Sequence, residues 1–551
     1  MVDQSSMATA DNEPLPLHEL ISHILDSETT ATEQLFYGIP VLGTMQQLNQ
    51  RLANQPLLDF FNATLRGIGQ AIFVNNPVSG LLIIIAIFIQ SPWLGTMSLL
   101  GTAAANLMAI ALKLDRGTIQ NGIFGLNGLL IGATIAFLGL FGNGVWNPIW
   151  IIAAIILSAL STIVLQTVGT WFATRFRVAP LGIAVHLVLI AFLLLLAVVP
   201  QPFFDMGSPP PISSPVSLDA WRLAQSLPVS LGQVFFVDNL ISIFLVFLAV
   251  VISTPIGAMV GLLGCAMYLL AGLLVGTRPD QLYSGFLGYN AVLTAVAIGG
   301  MFYAPNLLSI SLGAASAFLA SIASLLLVPV FSLIQLPIMA LPFAIVTIGC
   351  LLIVQRSLPS LVPVSLYTVA TPEEHRQRFL VARDIITHFR KQLTAAIKGE
   401  RHNVLFEQAS VEIKGNLRYI FDAIDRDRSG ELSTHELAAH LQSAGKAFSD
   451  GELTYLFKSM DRDGSGAIDF EEFGELMLRH RRLMSRYTEF VTYFLPLDAD
   501  EDESISTKEM NTALSSVGEP PLTQEEVEFL RDRTGGESLT WNRFIEVLLV
   551  T

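Results

Sequence analysis

Cysteine is scarce in this 551-residue chain, and so are charged side chains over most of its length. The two cysteines, Cys265 and Cys350, both lie in apolar runs, so we interpret them as small core residues rather than as a disulfide or a metal pair. No glutamate occurs between Glu33 and Glu373. Such poverty of charge argues against an ion-coupled pump and against a channel with a charged filter in this region.

Charge is concentrated toward one end of the chain. Residues 1–370 carry 13 acidic and 9 basic side chains, whereas residues 371–551 carry 33 and 22. The whole chain is 52% hydrophobic and has a formal net charge of −15. These two regimes predict a membrane region followed by a soluble acidic domain. Residues 1–54 are polar and acidic and lack the pattern of a cleaved signal peptide, so we expect them to lie on the membrane surface or to be partly disordered.

Ten apolar runs lie in the membrane region, and a membrane-crossing helix needs about 20 residues. Five precede and five follow a connector that is rich in proline and serine, at about 200–230. The runs are about 77–90, 96–112, 119–141, 149–172 and 179–199, then 235–254, 256–275, 284–302, 307–333 and 336–355. The predicted fold class is therefore all-α, with about ten transmembrane helices.

One stretch of sequence occurs in both sets of runs. Gln70 and Gln233 are 163 positions apart. The same offset relates Asn76 to Asn239, Pro92 to Pro255, Gly101 to Gly264, Gly125 to Gly288 and Asn127 to Asn290. Because each copy has an odd number of spans, the second must enter the membrane from the opposite side, which predicts two inverted five-helix repeats.

Basic residues indicate the orientation of these repeats. With the N-terminus inside, most of the basic side chains that border the spans fall inside, which places both termini and the acidic tail in the cytosol. Those inside are Lys113, Arg116, Arg175, Arg177 and Arg356, and those outside are Arg222 and Arg278.

The repeated glutamine suggests a binding slot. Gln70 and Gln233 lie at the mouths of apolar segments, and each is followed by a phenylalanine three positions on, Phe73 or Phe236. Ring faces and an amide suit a flat, neutral, polar solute. The alternative is that the amides only bond helices together. His186 stands alone in an apolar run and is interpreted as a structural group.

The motifs around the two glutamines resemble those of the urea transporter family over roughly residues 55–360. They are the stretch from Leu65 to Gly80 (LRGIGQAIFVNNPVSG), Leu114-Asp-Arg116 and Gly122-x-x-Gly-x-Asn-Gly-Leu-Leu130, with their second-copy counterparts. The resemblance implies a channel-like facilitator with one pore per subunit and a homotrimer. It also implies urea sites at Gln70, Phe73, Gln233 and Phe236, with an apolar wall of Leu126, Leu130, Tyr289 and Leu293.

The chain departs from that family at the expected centre of the pore. The family carries a Leu-Pro-x-x-Thr-x-Pro-Phe pattern in each half. Here Val178 and Ala340 stand at the two threonine places. The pore centre is therefore predicted to be apolar on both sides, which would suit slower urea passage or a less polar amide.

Two stretches of the tail match the calcium-binding loop of EF-hands. Each has carboxylates at positions 1, 3 and 12 and glycine at the turn. The predicted ligands are Asp425, Asp427, Ser429, Glu431 and Glu436 in the first loop, and Asp461, Asp463, Ser465, Ala467 and Glu472 in the second. Leu432 and Ile468 are expected to join the two loops through a short β bridge.

A third loop would use Asp498, Asp500, Asp502, Ser504 and Glu509. It has Glu503 in place of the turn glycine, so weaker calcium binding is expected. A fourth begins at Asp532 and has Arg543 in place of the final glutamate, so it should be metal-free and pair with the third. Residues 405–551 thus resemble the four-EF-hand, calmodulin-like family.

The predicted domains follow from these features. They are a cytosolic segment at 1–54, urea-transporter-like repeats at 55–200 and 231–360 with a loop at 201–230, an amphipathic linker at 361–404, and EF-hand pairs at 405–480 and 481–551, the last with a degenerate second loop. In the linker, Thr371 and Pro372 predict a helix start as N-cap and first residue.

The sequence favours passive transport of urea that is regulated by calcium. Two alternatives stay open. The solute could be another small neutral molecule, such as ammonia, water or a short amide, or the chain could be a membrane-anchored, calcium-dependent interaction protein. The sequence shows no nucleophile–base pair, phosphate-binding loop or catalytic metal cluster, so no enzyme activity is expected.

Overall fold

The computed structural model describes residues 42–198, 203–207, 217–334, 336–354, 361, 364, 369–398, 404–443, 450–461, 463–484, 504–516, 518–534 and 538–540. These residues form α-helices and one two-stranded sheet. The chain divides into two compact units. One is Leu35–Gln377, and the other contains Arg378–Thr551.

Eight helices form the first half of unit Leu35–Gln377 as described. They are α1 (Gln46–Leu52), α2 (Pro56–Gln70), α3 (Pro77–Gln90), α4 (Pro92–Ala111), α5 (Arg116–Gln120), α6 (Ile123–Leu138), α7 (Pro148–Phe176) and α8 (Ile183–Val198). Four of them begin with proline, whose missing N–H costs nothing in the first turn of a helix.

A matching series forms the second half. It contains α9 (Ala220–Ser226), α10 (Val229–Gly232) with a 3-10 turn Gln233–Phe235, α11 (Leu240–Ser253), α12 (Pro255–Val275), α13 (Pro279–Ser284), α14 (Tyr289–Val296) with a π-helical turn Ala297–Met301, α15 (Leu307–Leu333) and α16 (Leu341–Val354). Helix α17 (Pro372–Ile397) begins in this unit. Helix α9 is a difference from the predicted connector; it is short and is capped by Asp219, whose Oδ1 accepts from Arg222 N.

The backbone repeats with the sequence. Helix α11 has the bounds of α3 shifted by 163 positions. The N-caps of α4 and α12 are Ser91 and Thr254, whose hydroxyls accept from backbone N–H groups three positions on. Phe73 and Phe236 both have positive φ, as do Gly122 and Gly285. The duplication read from the sequence is therefore a duplication of conformation.

Helices α3 and α11 contact each other through two reciprocal hydrogen bonds. Ser79 Oγ donates to Ala249 O at 2.7 Å, and Ser242 Oγ donates to Ala86 O at 2.7 Å. Each bond joins the start of one helix to the end of the other, so the two helices run antiparallel. The four residues exchange places under the 163-position offset, which is the pattern of an isologous contact.

Four described helices are long and apolar enough to cross a membrane: α4, α7, α12 and α15. A fifth span is possible if Ala220–Phe235 and Leu240–Ser253, bent by 76°, count as one. The other apolar helices, α3, α6, α8, α14 with its π turn, and α16, are shorter. The run predicted at 119–141 is interrupted, because Gly122 at φ 74° separates α5 from α6.

The tail unit is built from paired helix–loop–helix elements. Its described helices are α18 (Val404–Gln408), α19 (Val411–Ile424), α20 (Thr434–Ser443), α21 (Asp450–Met460), α22 (Phe470–Met484), α23 (Thr507–Ser516) and α24 (Gln524–Thr534), and its strands are β1 (Ser504–Ser506) and β2 (Ser538–Thr540). Leu432 and Ile468 form the predicted bridge, with N–H···O distances of 2.8 and 3.0 Å. Strand β1 pairs antiparallel with β2, as expected for the third and fourth loops.

Gly122 allows a close backbone approach beside the first glutamine. A Cβ at this position would lie 2.2 Å from Gly67 N, and its φ is 74°. We expect Gly122→Ala to lower the thermal unfolding temperature of the purified protein in detergent, because the left-handed conformation alone costs about 1 kcal/mol for alanine. The control is Gly349→Ala in α16, where an added Cβ meets nothing within 4 Å. Equal unfolding temperatures for the two variants would contradict this assignment.

Candidate functional site

Gln70 is the last residue of α2, directly before a turn that reverses the chain. Its Nε2 donates to the backbone carbonyl of Asn121 at 3.0 Å. Phe73 follows in that turn at φ 61°. The glutamine amide is therefore fixed in direction by the residue that precedes Gly122.

Gln233 makes the equivalent contact in the second half. Its Nε2 donates to the backbone carbonyl of Ser284 at 3.0 Å, and Ser284 precedes Gly285. Asn121 and Ser284 are 163 positions apart, as the two glutamines are. The two amides are thus held by the same bond in both halves, with Phe73 and Phe236 beside them.

Aromatic rings from both halves surround the two phenylalanines. The ring of Phe73 lies 6.3 Å from that of Phe302 and 6.2 Å from that of Phe343, both edge-on. The ring of Phe236 is stacked on Phe137 at 5.0 Å. Each phenylalanine therefore contacts a ring of the other half. Sequence reasoning missed these partners because they do not repeat at the offset of 163.

The predicted apolar wall is assembled in one core cluster. Phe73 and Phe236 pack against that cluster, which contains Leu293. The other predicted residues that pack against it are Leu126, Leu130, Tyr289 and Ala340. Val178 is not in this group, because it lies in a separate cluster with Ile298 and Leu351. The structure thus brings together the predicted wall but places the two predicted pore-centre residues in different clusters.

Asn290 fixes one of the ring partners. Its Oδ1 accepts from Phe343 N at 3.1 Å, and its Nδ2 donates to Met339 O at 3.3 Å. Asn127, its first-half counterpart, is buried, and its Nδ2 has no hydrogen-bond partner among the described residues. The two asparagines therefore serve the halves differently.

Both EF-hand loops bring their carboxylates together. Oxygen atoms of Asp425, Asp427 and Glu436 all lie within 4.8 Å of one another, and the same holds for Asp461, Asp463 and Glu472. Clustered carboxylate oxygens are the ligands that calcium prefers.

The loop backbone supports this arrangement. Gly430 N donates to Asp425 Oδ2 at 3.0 Å and Gly466 N donates to Asp461 Oδ2 at 2.9 Å. Both glycines have positive φ, 85° and 83°, as the sharp turn requires. The predicted ligands Ser429, Glu431 and Ser465 are exposed, and Ala467 is half-buried. Residues of the chain thus fit a calcium ion at both loops.

Glu436 is held in its ionised form. Hydrogen bonds from the Ser433 hydroxyl and backbone lower its pKa to about 2. Its Oε2 accepts from Ser433 Oγ at 2.7 Å. The carboxylate is therefore available to a cation at any physiological pH.

The third loop lies mostly outside the described residues, since Asp498, Asp500 and Asp502 do, and Arg543 of the fourth loop lies outside them too. Ser504 begins β1. Glu509 Oε2 accepts from Ser506 N at 2.8 Å, which resembles the Ser433–Glu436 contact of the first loop. The pairing of loops three and four is described, but not the metal ligands.

Helix α18 is anchored against the first EF-hand pair. The Phe406 ring lies edge-on to Phe470 at 5.1 Å, and Phe406 N donates to Glu475 Oε2 at 2.7 Å. Glu475 is buried and is paired with Arg479 at 2.9 Å. The segment that precedes the first loop thus packs on the helix that follows the second.

Comparison with known proteins gives separate matches for the membrane unit and for the tail unit. A family model described as "Urea transporter" matches residues 61–355. Urea transporter 1 of Ovis aries is 29% identical over 355 residues, with 62% of this chain and 89% of the relative covered. Urea transporter 1 of Mus musculus is 29% identical over 343 residues, with the same coverage.

The tail has its own relatives. A family model described as "EF-hand domain pair" matches residues 415–478. Calcium-binding protein SPEC 2C of Strongylocentrotus purpuratus is 30% identical over 118 residues, with 21% of this chain and 77% of the relative covered. The tail therefore carries an EF-hand calcium-binding domain, which includes the two carboxylate clusters.

Calcium titration of the full chain tests the two clusters. We expect Glu436→Gln and Glu472→Gln each to weaken calcium binding at its loop about 10- to 100-fold, because each removes a charged ligand worth about 1.5–3 kcal/mol. The control is Glu431→Gln, an exposed residue that offers its backbone carbonyl. Isothermal titration calorimetry in detergent measures the change. Equal weakening by the control would contradict the assignment of Glu436.

Proposed function

Because this chain belongs to the urea transporter family, we propose that it is a passive, channel-like facilitator of urea. The family consists of transporters rather than enzymes, and the chain is an integral, multi-pass membrane protein. The observation that carries the proposal is the repeated Gln70–Asn121 and Gln233–Ser284 contact, at 3.0 Å in both halves.

The chemistry of the two sites suits urea. Each has a fixed amide that can exchange hydrogen bonds with a planar, neutral solute, and aromatic rings that can cover its faces. Gln70, Phe73, Leu126 and Leu130 would form one site, and Gln233, Phe236, Tyr289 and Leu293 the other. With no charged group needed in the slots, passage would be driven by the urea gradient alone.

We further propose ten spans in two inverted repeats, with both termini in the cytosol. The reciprocal bonds of Ser79 and Ser242 support this. A two-fold axis that relates two antiparallel helices is perpendicular to them, so it would lie in the membrane plane if the helices cross the membrane. The shorter apolar helices would complete each half inside the bundle. A homotrimer is proposed from the family resemblance.

A second candidate is passage of a less polar amide. Val178 and Ala340 favour it, since they stand where the family has two threonines. Apolar side chains at a constriction remove hydrogen-bond partners that a strongly hydrated solute would need. Competition between urea and short amides in the same flux assay separates the two candidates.

Calcium would regulate this transport through the EF-hand domain. The two clusters of carboxylates in the first and second loops support calcium binding. The third loop is proposed as a weaker site. Calcium changes the angle between paired EF-hand helices in sensor proteins. The membrane-anchored interaction protein remains the competing proposal, and it predicts no solute flux.

Stopped-flow urea flux in proteoliposomes tests the two glutamines. We expect Gln70→Ala and Gln233→Ala each to lower urea permeability about 3- to 10-fold, as the loss of one net hydrogen bond predicts. The matched control is Gln166→Ala, an exposed glutamine of α7. If the urea permeability of all three variants equals that of the wild type, the two glutamines do not form the proposed urea sites.

Calcium dependence is tested on the same vesicles. We expect urea permeability of the wild type to differ between micromolar free calcium and a chelator, since calcium loads the two described loops. The double variant Glu436→Gln, Glu472→Gln should lose this difference and keep its transport. A wild type that is indifferent to calcium would refute regulation and leave transport standing.

A further inference from the structure

The two glutamine ends of the membrane unit are secured by different contacts. Near Gln233, the loop after Phe236 is bound by Gln90 of the first half, whose Oε1 accepts from Asp238 N and Asn239 N at 3.2 Å each. Near Gln70 the equivalent loop is bound by Arg66, which has Val229 as its second-half counterpart. The arginine that binds the loop at the Gln70 end thus has no equivalent at the Gln233 end.

Arg66 is fully buried and ties the chain that precedes α1 to the Gln70 turn. Its guanidinium donates to Thr44 O at 2.6 Å, to Met45 O at 2.8 Å and to Asn75 O at 2.9 Å. A buried guanidinium must satisfy its donors, so these carbonyls fix its position. The position of Asn75 therefore depends on the segment 44–45.

Residues of α1 and Asn75 bind the side chain of Asn121, the residue whose backbone carbonyl holds Gln70. Asn121 Oδ1 accepts from Gln46 Nε2 at 3.3 Å, Asn49 Nδ2 at 3.4 Å and Asn75 Nδ2 at 3.2 Å. Asn121 O is the acceptor for Gln70. The Gln70 amide is thus positioned through a polar network that includes Arg66, Asn75, Asn121 and residues 44–49.

The first turn of α17 contacts this network through Thr44. Glu374 Oε1 accepts from Thr44 Oγ1 at 3.2 Å, and Glu374 Oε2 accepts from Thr371 N at 2.9 Å. Glu373 Oε1 accepts from Ile256 N, in the first turn of α12, at 2.5 Å. All these residues belong to the unit Leu35–Gln377.

A second contact leads from the same stretch to the aromatic side of the site. Val364 N donates to Phe302 O at 2.9 Å, and a Cβ at Gly300 would lie 3.0 Å from the Pro372 side chain. The Phe302 ring is a partner of Phe73. Val364, Pro372 and Glu374 therefore contact residues that neighbour the first site, on its aromatic side and through Thr44 of the polar network.

We propose that the first turn of α17, through Glu374 and its bond to Thr44, is the positioning element of the Gln70 end, and that any calcium effect on transport acts at this end of the pore. The inference about calcium rests on the proposed calcium regulation of transport. Helix α17 continues without a break to Ile397, beyond the point where the EF-hand unit begins. No comparable connection to the Gln233 end exists among the described residues.

Hydrogen exchange of the full chain in nanodiscs tests the positioning role without any transport assay. We expect Glu374→Ala to speed amide exchange about tenfold or more in peptides that contain residues 43–50 and 116–122, because local opening becomes easier by about 1.4 kcal/mol. Peptides with residues 279–285, at the other end, should not change. Glu374→Gln keeps an acceptor oxygen, so its exchange rates should lie near those of the wild type. The control Asp280→Asn, whose described partner is Arg278, should exchange residues 43–50 at the wild-type rate.

Unchanged exchange at residues 43–50 in folded Glu374→Ala would overturn the proposal. So would an equal increase at both ends, which would indicate general destabilisation. If Glu374→Ala does not fold, Thr44→Val, which removes the same bond from the other side, replaces it.

Urea flux with and without calcium then tests the coupling. In Glu374→Ala we expect the calcium response to fall at least about fivefold, the lower range of measured couplings between sites, while the Asp280→Asn response stays as in wild type. A full response in Glu374→Ala would overturn the coupling and leave calcium regulation intact. If wild type itself shows no response, calcium regulation fails, the coupling fails with it, and the exchange experiment still decides the positioning role.

Discussion

Close contact between α3 and α11 is the constraint on which the membrane unit depends. The two serine hydroxyls can reach carbonyls of the opposite helix only when the backbones lie near each other, and each bond satisfies a group that lipid could not. With these helices fixed, the turns that precede them are fixed too. Those turns carry Phe73 and Phe236, so the contact sets where both predicted sites lie.

Symmetry holds for the backbone and fails for several polar side chains. Gln70 and Gln233 keep the same bond, whereas Arg66 and Val229 differ, and the bonds of Asn290 to Met339 and Phe343 have no described equivalent at Asn127. A duplicated unit needs its main-chain geometry in both copies in order to pack. Side chains at the two ends of the unit meet different neighbours and can diverge. In this chain each end has such a difference, Arg66 at the Gln70 end and Gln90 at the Gln233 end.

Much of the architecture could be predicted because it depends on local sequence. The bounds of α3 and α15, the Thr371 cap and the Leu432–Ile468 bridge follow from proline positions, capping residues and loop spacing. The ring partners Phe137 and Phe343 and the buried contacts of Arg66 join residues far apart in sequence. No period or motif encodes such pairs, so only the folded chain reveals them. The predicted roles of the site residues remain predictions.

Positive φ at Phe73 and Phe236 has a consequence for engineering. A bulky residue in this conformation costs about 1–2 kcal/mol, and glycine would relieve the cost. Glycine would also remove the packing of each ring against the core cluster, which is worth more than the strain, so selection for thermostability alone should retain both rings. The strained backbone is thus held in place by the same rings that the proposed sites need, so the packing energy of these rings is partly spent on keeping them in position.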